Sequence, residues 1–207
     1  TVQVEIDRIL PVIECIHAAF PVTVLSVDTY QSAVAKAAVN AGASMVNDIG
    51  AGNMDNEMLE TVAALQVPYI CMHMQGTPST MQKDPAYNDV VKEVLDFFIL
   101  KITECKALGI KDIIIDPGFG FGKTVEHNFQ LLKRLDVFGI TGKPVLVGLS
   151  RKSVINKTLG IKAPDALNGT TVLNSMALLN RASILRVHDV KEAKEAITLY
   201  NAYKKAP

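Results

Sequence analysis

The residues best suited to chemistry are polar groups that directly follow short runs of β-branched residues. Residues 112–124 read Asp-Ile-Ile-Ile-Asp-Pro-Gly-Phe-Gly-Phe-Gly-Lys-Thr. Three consecutive isoleucines pack well on a pleat and offer no polar face, so they predict a buried strand. That strand stops at Asp116, and Pro117 with Gly118, Gly120 and Gly122 opens a loop whose backbone can approach a ligand closely. Asp28 ends a second such run, and Asn47 with Asp48 ends a third. A carboxylate can accept a pair of hydrogen bonds from an amino-pyrimidine or guanidine-like edge, and an amide both donates and accepts. Asp28, Asn47 and Asp116 therefore suit a flat, nitrogen-rich heterocycle. For Asp28 the structural alternative is an N-cap on the following helix. Asp116 lacks that alternative, because Pro-Gly follows it.

Cations follow two further runs. Ser150-Arg151-Lys152-Ser153 comes directly after Val145–Leu149. A strand-to-helix turn bearing Arg and Lys combines backbone N–H groups with positive charge, which describes an anion site. Arg186 and His188 alternate, so they point to one side of their strand. A buried arginine is costly unless paired. The two suit a second anion such as a phosphate, with a structural ion pair as the alternative. His73 either reaches a ligand or packs as a satisfied core residue, and Met72 is placed to pack against a ring rather than to react. The Gly-Phe-Gly-Phe-Gly-Lys-Thr ending is neither the GxxxxGK[ST] phosphate loop nor the GxGxxG dinucleotide fingerprint, because its glycines strictly alternate.

Six β-rich runs must carry these groups: 22–27, 45–46, 69–72, 113–115, 145–149 and 184–187. Helical patterns lie between them, over 32–40, 56–66, 89–108, 127–135, 168–179 and 190–203, with a first helix over 4–19. In the second of these, Met58, Leu59, Val62 and Leu65 share one face. Such alternation predicts a parallel sheet with crossover helices. In an open sheet, strands ~4.8 Å apart would spread six polar strand ends over ~24 Å. A closed barrel gathers them, so the expected fold is α/β, a (β/α)8 barrel with about six of its eight units in this chain. The expectation is one domain over 1–207, N-terminally incomplete, with two strands preceding residue 1.

The composition narrows the function classes. The 207 residues include 49% apolar and 20% charged types, and the 21 basic and 21 acidic residues cancel. That balance argues against a nucleic-acid groove or an anionic membrane surface. No apolar run approaches the ~20 residues of a membrane span, and no signal peptide is visible, so a cytoplasmic protein is expected. Cys15, Cys71 and Cys105 are widely spaced among apolar residues and are expected to be small buried hydrophobes, not a metal site or a disulfide framework. No histidine pair has metal-ligand spacing. His17 and His127 lie in helical patterns as scaffold or surface.

The motifs SVDTY, NDI, MHMQGTP, DPGFGFGK, GLSRKS and RVHDV, in this order, resemble the dihydropteroate synthase family. The resemblance runs from the first helix to the last. It implies a pterin-binding barrel enzyme of folate biosynthesis that joins 6-hydroxymethyl-7,8-dihydropterin pyrophosphate to p-aminobenzoate, with Mg2+ assisting, at the sulfonamide-sensitive step. By resemblance, Asp28, Asn47, Ile49, Met72, Asp116 and Lys152 hold the pterin. Gly120, Phe121, Ser150, Arg151 and Lys152 serve p-aminobenzoate, and Asn47, Arg186 and His188 hold the pyrophosphate. Asp28, Asp116 and Lys152 are the expected catalytic residues. The implied mechanism is dissociative: the C–O bond breaks, and the neutral amine attacks the pterin-methyl cation. No side-chain nucleophile is needed. A homodimer through the outer helices is also implied, with no nucleic-acid or membrane partner.

Two departures from the family pattern stand out. Its first two loops have no counterpart here, so the magnesium ligand is expected outside this chain, and the chain on its own is expected to be incomplete for catalysis. Arg181 stands where a helix-ending glycine is expected, and a left-handed conformation would cost it ~1 kcal/mol, rearranging or weakening the turn. The alternatives are a methyltetrahydrofolate-binding methyltransferase barrel, which would share the Asp–Asn–Asp trio, and a non-catalytic pterin-binding module.

Overall fold

The structure, a computed structural model, describes residues 1–207. Its elements in chain order are α1 (Val2–Ala19), β1 (Ser26–Asp28), α2 (Ser32–Asn40), β2 (Met45–Asp48), α3 (Met58–Leu65), β3 (Tyr69–Met72) and α4 (Val90–Ala107). There follow β4 (Ile113–Asp116), α5 (Val125–Lys133), β5 (Leu146–Val147), α6 (Ser153–Leu159), α7 (Leu167–Leu179), β6 (Ile184–Leu185) and α8 (Val190–Lys205). Two compact units result: Thr1–His73 with Phe98–Ile114, and Met74–Phe97 with Ile115–Pro207.

In the first unit β1, β2 and β3 are parallel neighbours, with Asp28 opposite Asn47 and Asp48 opposite Cys71. The Tyr69 N–H donates to Asp112 O at 2.9 Å and carries the ladder on toward β4. Val46, Tyr69, Cys71, Met72 and Ile113 are buried, as strands covered on both faces require. On α3, Met58, Leu59 and Val62 are buried, while Leu65 is half-buried. Helix α1 buries no residue of its own. It is tied down by Glu5, which accepts from Thr29 Oγ1 at 2.7 Å and from Gln31 Nε2.

The run 22–27 is not a strand throughout. Val22 and Val24 are 95% and 66% exposed, and the Thr23 N–H donates to Phe20 O, so the β-rich run opens as a turn out of α1. Propensity cannot see that a preceding helix end consumes these residues. Cys15 is a second correction. It lies on the exposed side of α1, whereas Cys71 and Cys105 are buried as expected.

In the second unit β5 and β6 are parallel, and a bridge joins Ile115 to Val145. Both strands are two residues long and shorter than the runs 145–149 and 184–187; past β5 the chain turns at Leu149, whose carbonyl accepts from the Lys152 N–H. Helix α5 starts two residues earlier than its apolar pattern, at a capping box: Thr124 Oγ1 accepts from the His127 N–H, and His127 Nδ1 accepts from the Thr124 N–H. His127 is thus scaffold.

The turn at Arg181 is kept, not rearranged. Helix α7 closes with Ala182 N–H to Ala177 O at 2.9 Å and Arg181 N–H to Leu178 O at 3.1 Å, a Schellman motif with Arg181 at φ +72°. The same pair of bonds closes α2 and α4, where Gly42 and Gly109 take the left-handed position.

Candidate functional site

In the first unit the ends of β1, β2 and β3 present Asp28, Asn47 and Met72. Asp28 is exposed and Asn47 buried. Asp28 is not a helix cap: the N-cap of α2 is Gln31, and the Ser32 N–H donates to Asp55 Oδ2 at 2.7 Å. Its carboxylate at the strand end is therefore available for another purpose. The Thr29 N–H donates to Asn47 O at 3.0 Å, fixing the two strand ends together.

Asp48 alternates with Asn47 on β2 and anchors the loop behind it. Its Oδ1 accepts from the Gly50 N–H, and its Oδ2 from the Gly52 N–H and the Tyr69 hydroxyl, each at 2.7 Å. Burial raises the Asp48 pKa, while the Tyr69 bond pulls it down. Residues 49–53 are held in a tight loop with Ala51 at φ +51° and Gly52 at φ +76°, and Ile49 emerges at its start. His73 is buried beyond Met72.

In the second unit Asp116 is fully buried at the end of β4. One carboxylate oxygen accepts from the Gly118 N–H at 2.8 Å, and the other accepts from Arg186 Nη2 at 2.8 Å. Gly148 makes room for that guanidinium, since a Cβ there would lie 3.0 Å from Nη2. Lys152 Nζ donates to Phe119 O at 2.6 Å and sits 4.8 Å from the Phe121 ring centre. Desolvation lowers its pKa from 10.5 to about 8, with Asp116 opposing and Arg186 reinforcing. The structure thus brings Asp116, Gly120, Phe121, Lys152 and Arg186 to one loop.

Ser150, Arg151 and His188 are placed differently from the simplest expectation. Ser150 Oγ lies 2.9 Å from His188 Nδ1 and accepts from the His188 N–H. Arg151 grips Asp189 with both Nε and Nη2, at 2.9 and 2.7 Å, and its Nη1 donates to Ala163 O and Pro164 O. All three guanidinium nitrogens have protein acceptors, so Arg151 binds the turn after β5 to the start of α8. Sequence reasoning passed over Asp189, Gly148 and Lys123. Asp189 directly follows His188 and Lys123 closes the glycine loop, but neither position reveals its partner.

Chemically, the second unit offers a buried carboxylate and two cations beside a ring-lined loop. This arrangement fits a polar heterocycle edge and a departing anion.

The profile of the family described as "Pterin binding enzyme" matches residues 1–188. The chain is 41% identical over 204 residues to the dihydropteroate synthase of Escherichia coli strain K12, covering 98% of this chain and 72% of that protein. The Yersinia pestis dihydropteroate synthase solved with a sulfonamide drug complex is similar at a TM-score of 0.96 and 39% identity, over 100% of this chain and 76% of that one. The Xanthomonas albilineans dihydropteroate synthase in complex with 7,8-dihydropteroate is similar at a TM-score of 0.92 and 39% identity, over 100% of this chain and 76% of that one.

Proposed function

The chain belongs to the dihydropteroate synthase family of pterin binding enzymes, and from that premise we infer that it joins 6-hydroxymethyl-7,8-dihydropterin pyrophosphate to p-aminobenzoate, releasing pyrophosphate and 7,8-dihydropteroate. Its fold class is that of the family: α/β, the (β/α)8 barrel, with six strands in this chain. The observation that carries the reading is buried Asp116 with Arg186 on one oxygen and Lys152 on the neighbouring loop.

The site roles follow as proposals. Asp116 takes the amino-pyrimidine edge of the pterin and Lys152 its carbonyl side; for Asp28 and Asn47 the edge, and for Ile49 and Met72 the ring, are roles proposed from the family resemblance alone. Gly120 and Phe121 line the place of p-aminobenzoate. Ser150 and Arg151 support that place through their protein bonds, which hold the turn carrying Lys152. Arg186, with His188 and Asn47, receives the pyrophosphate. Asp116 stabilises the positive charge that grows on the pterin as the C–O bond opens, and Arg186 stabilises the leaving anion.

No group of three His, Cys, Asp or Glu side chains comes together in the structure. Magnesium assistance is proposed from the family resemblance alone. A homodimer and a cytoplasmic location are proposed from the family's habit. No helix is long and apolar enough to cross a membrane. Calorimetry with the pterin pyrophosphate and with methyltetrahydrofolate tests the reading against a methyltransferase barrel. The pterin pyrophosphate should bind more tightly by at least tenfold, and equal or reversed affinities would overturn it.

A further inference from the structure

The glycine loop after β4 has an unusual bonding pattern. Each of its carbonyls from Gly118 to Gly122 accepts a hydrogen bond from a side chain. Lys123 Nζ donates to Gly118 O at 3.1 Å and to Phe121 O at 3.0 Å. Lys152 Nζ takes Phe119 O, Gln82 Nε2 takes Gly120 O at 2.7 Å, and the Tyr87 hydroxyl takes Gly122 O at 2.8 Å. The amides are held as well: Gly118 N–H by Asp116, and Gly120 N–H by Asn128 Oδ1 at 2.7 Å. This stretch, with Gly118, Gly120 and Gly122 at positive φ, is held by these side chains together with one backbone bond, Phe121 N–H to Gly118 O at 3.0 Å.

Lys123 bonds this loop at two carbonyls, and its exposure is only 4%. Burying an ammonium is expensive unless its protons find acceptors, and Gly118 O and Phe121 O supply two of them. What it fixes is the backbone of Phe121, whose ring sits 4.8 Å from the Lys152 ammonium. Resting on the dihydropteroate synthase reading, we propose that Lys123 is a positioning residue for p-aminobenzoate: it holds the Gly118–Phe121 backbone so that the Phe121 ring and the Lys152 ammonium face the second substrate together. Burial also lowers the Lys123 pKa to about 7, with Asp116 opposing and Lys152 reinforcing, which is consistent with two cations sharing one carbonyl array.

The test compares Lys123→Met, which keeps the stem and removes both bonds, with the native protein. The KM for p-aminobenzoate should rise by about tenfold while that for the pterin pyrophosphate stays within about twofold. Amide exchange of Gly118, Gly120 and Phe121 should quicken by a similar factor, with Leu131 and Leu132 of α5 unchanged. If Lys123→Met does not fold, Tyr87→Phe removes one bond from the same loop and should act in the same direction by about threefold. Unchanged loop exchange in the folded variant, or equal rises in both KM values, overturns the proposal. A native protein without p-aminobenzoate-dependent turnover would instead remove the enzymatic reading, while the exchange measurement still decides whether Lys123 holds the loop.

Discussion

Arg186 Nη2 lies 2.8 Å from Asp116 Oδ2, although 70 residues separate the two in sequence. The Arg186 side chain is 37% exposed and that of Asp116 1%, so the pair has one dry and one wet partner. In the proposed reaction Asp116 faces the pterin and Arg186 the pyrophosphate, so the substrate must be received by two groups already bonded to one another.

Asp116→Asn should therefore damage the site twice. An amide in place of the carboxylate removes the charge that a protonated pterin edge prefers, and its NH2 can only repel either Arg186 or the Gly118 N–H. Pterin affinity should fall about 100-fold, as expected for losing charge-assisted bonds. Direct titration with the pterin pyrophosphate checks this, and retained affinity would remove the role assigned to Asp116.

Arg181→Gly should stabilise the protein. Arg181 sits at φ +72° with both Schellman bonds intact, so glycine keeps the geometry and relieves about 1 kcal/mol of backbone strain. Thermal unfolding should shift upward by about 2–4 °C with turnover unchanged.

Tyr69→Phe should destabilise by about 1–2 kcal/mol, because it deprives buried Asp48 of a 2.7 Å bond while leaving the two glycine amides. Urea unfolding measures this, and a change below a few tenths of a kcal/mol would mean that the loop amides alone satisfy Asp48.

Lys152 supplies a pH prediction. Its pKa is about 8 when folded, against the usual 10.5, so the folded state carries a penalty for the buried cation below pH ~8. That penalty is relieved as pH rises from about 8 toward 10.5, and this group's contribution makes the fold more stable across that window. The cation proposed to hold the pterin carbonyl is lost over the same window. Pterin affinity should fall above pH ~8 in the native protein, and the fall should be absent in Lys152→Met.

The chain announced some of this arrangement and concealed the rest. Ile113–Ile115 ending at Asp116 was readable as a buried strand and a carboxylate because both signals are local: β-branched residues and a following Pro-Gly. The strained helix end at Arg181 was readable from the position where a glycine belongs. The partners of Arg151 and Arg186 were not, because Asp189 and Asp116 stand 38 and 70 residues away and pairing across that distance leaves no periodicity. Val22 and Val24 misled for a related reason: their side chains favour a strand, but the end of α1 uses that backbone for a turn. Cys15, among apolar neighbours in sequence, lies on the face of α1 turned to solvent.

The central claim is most directly tested by measuring pyrophosphate release from 6-hydroxymethyl-7,8-dihydropterin pyrophosphate with and without p-aminobenzoate. The dihydropteroate synthase account predicts release that requires p-aminobenzoate and yields 7,8-dihydropteroate in equal amount. Release that ignores p-aminobenzoate, or none from a protein that binds both substrates, would contradict it.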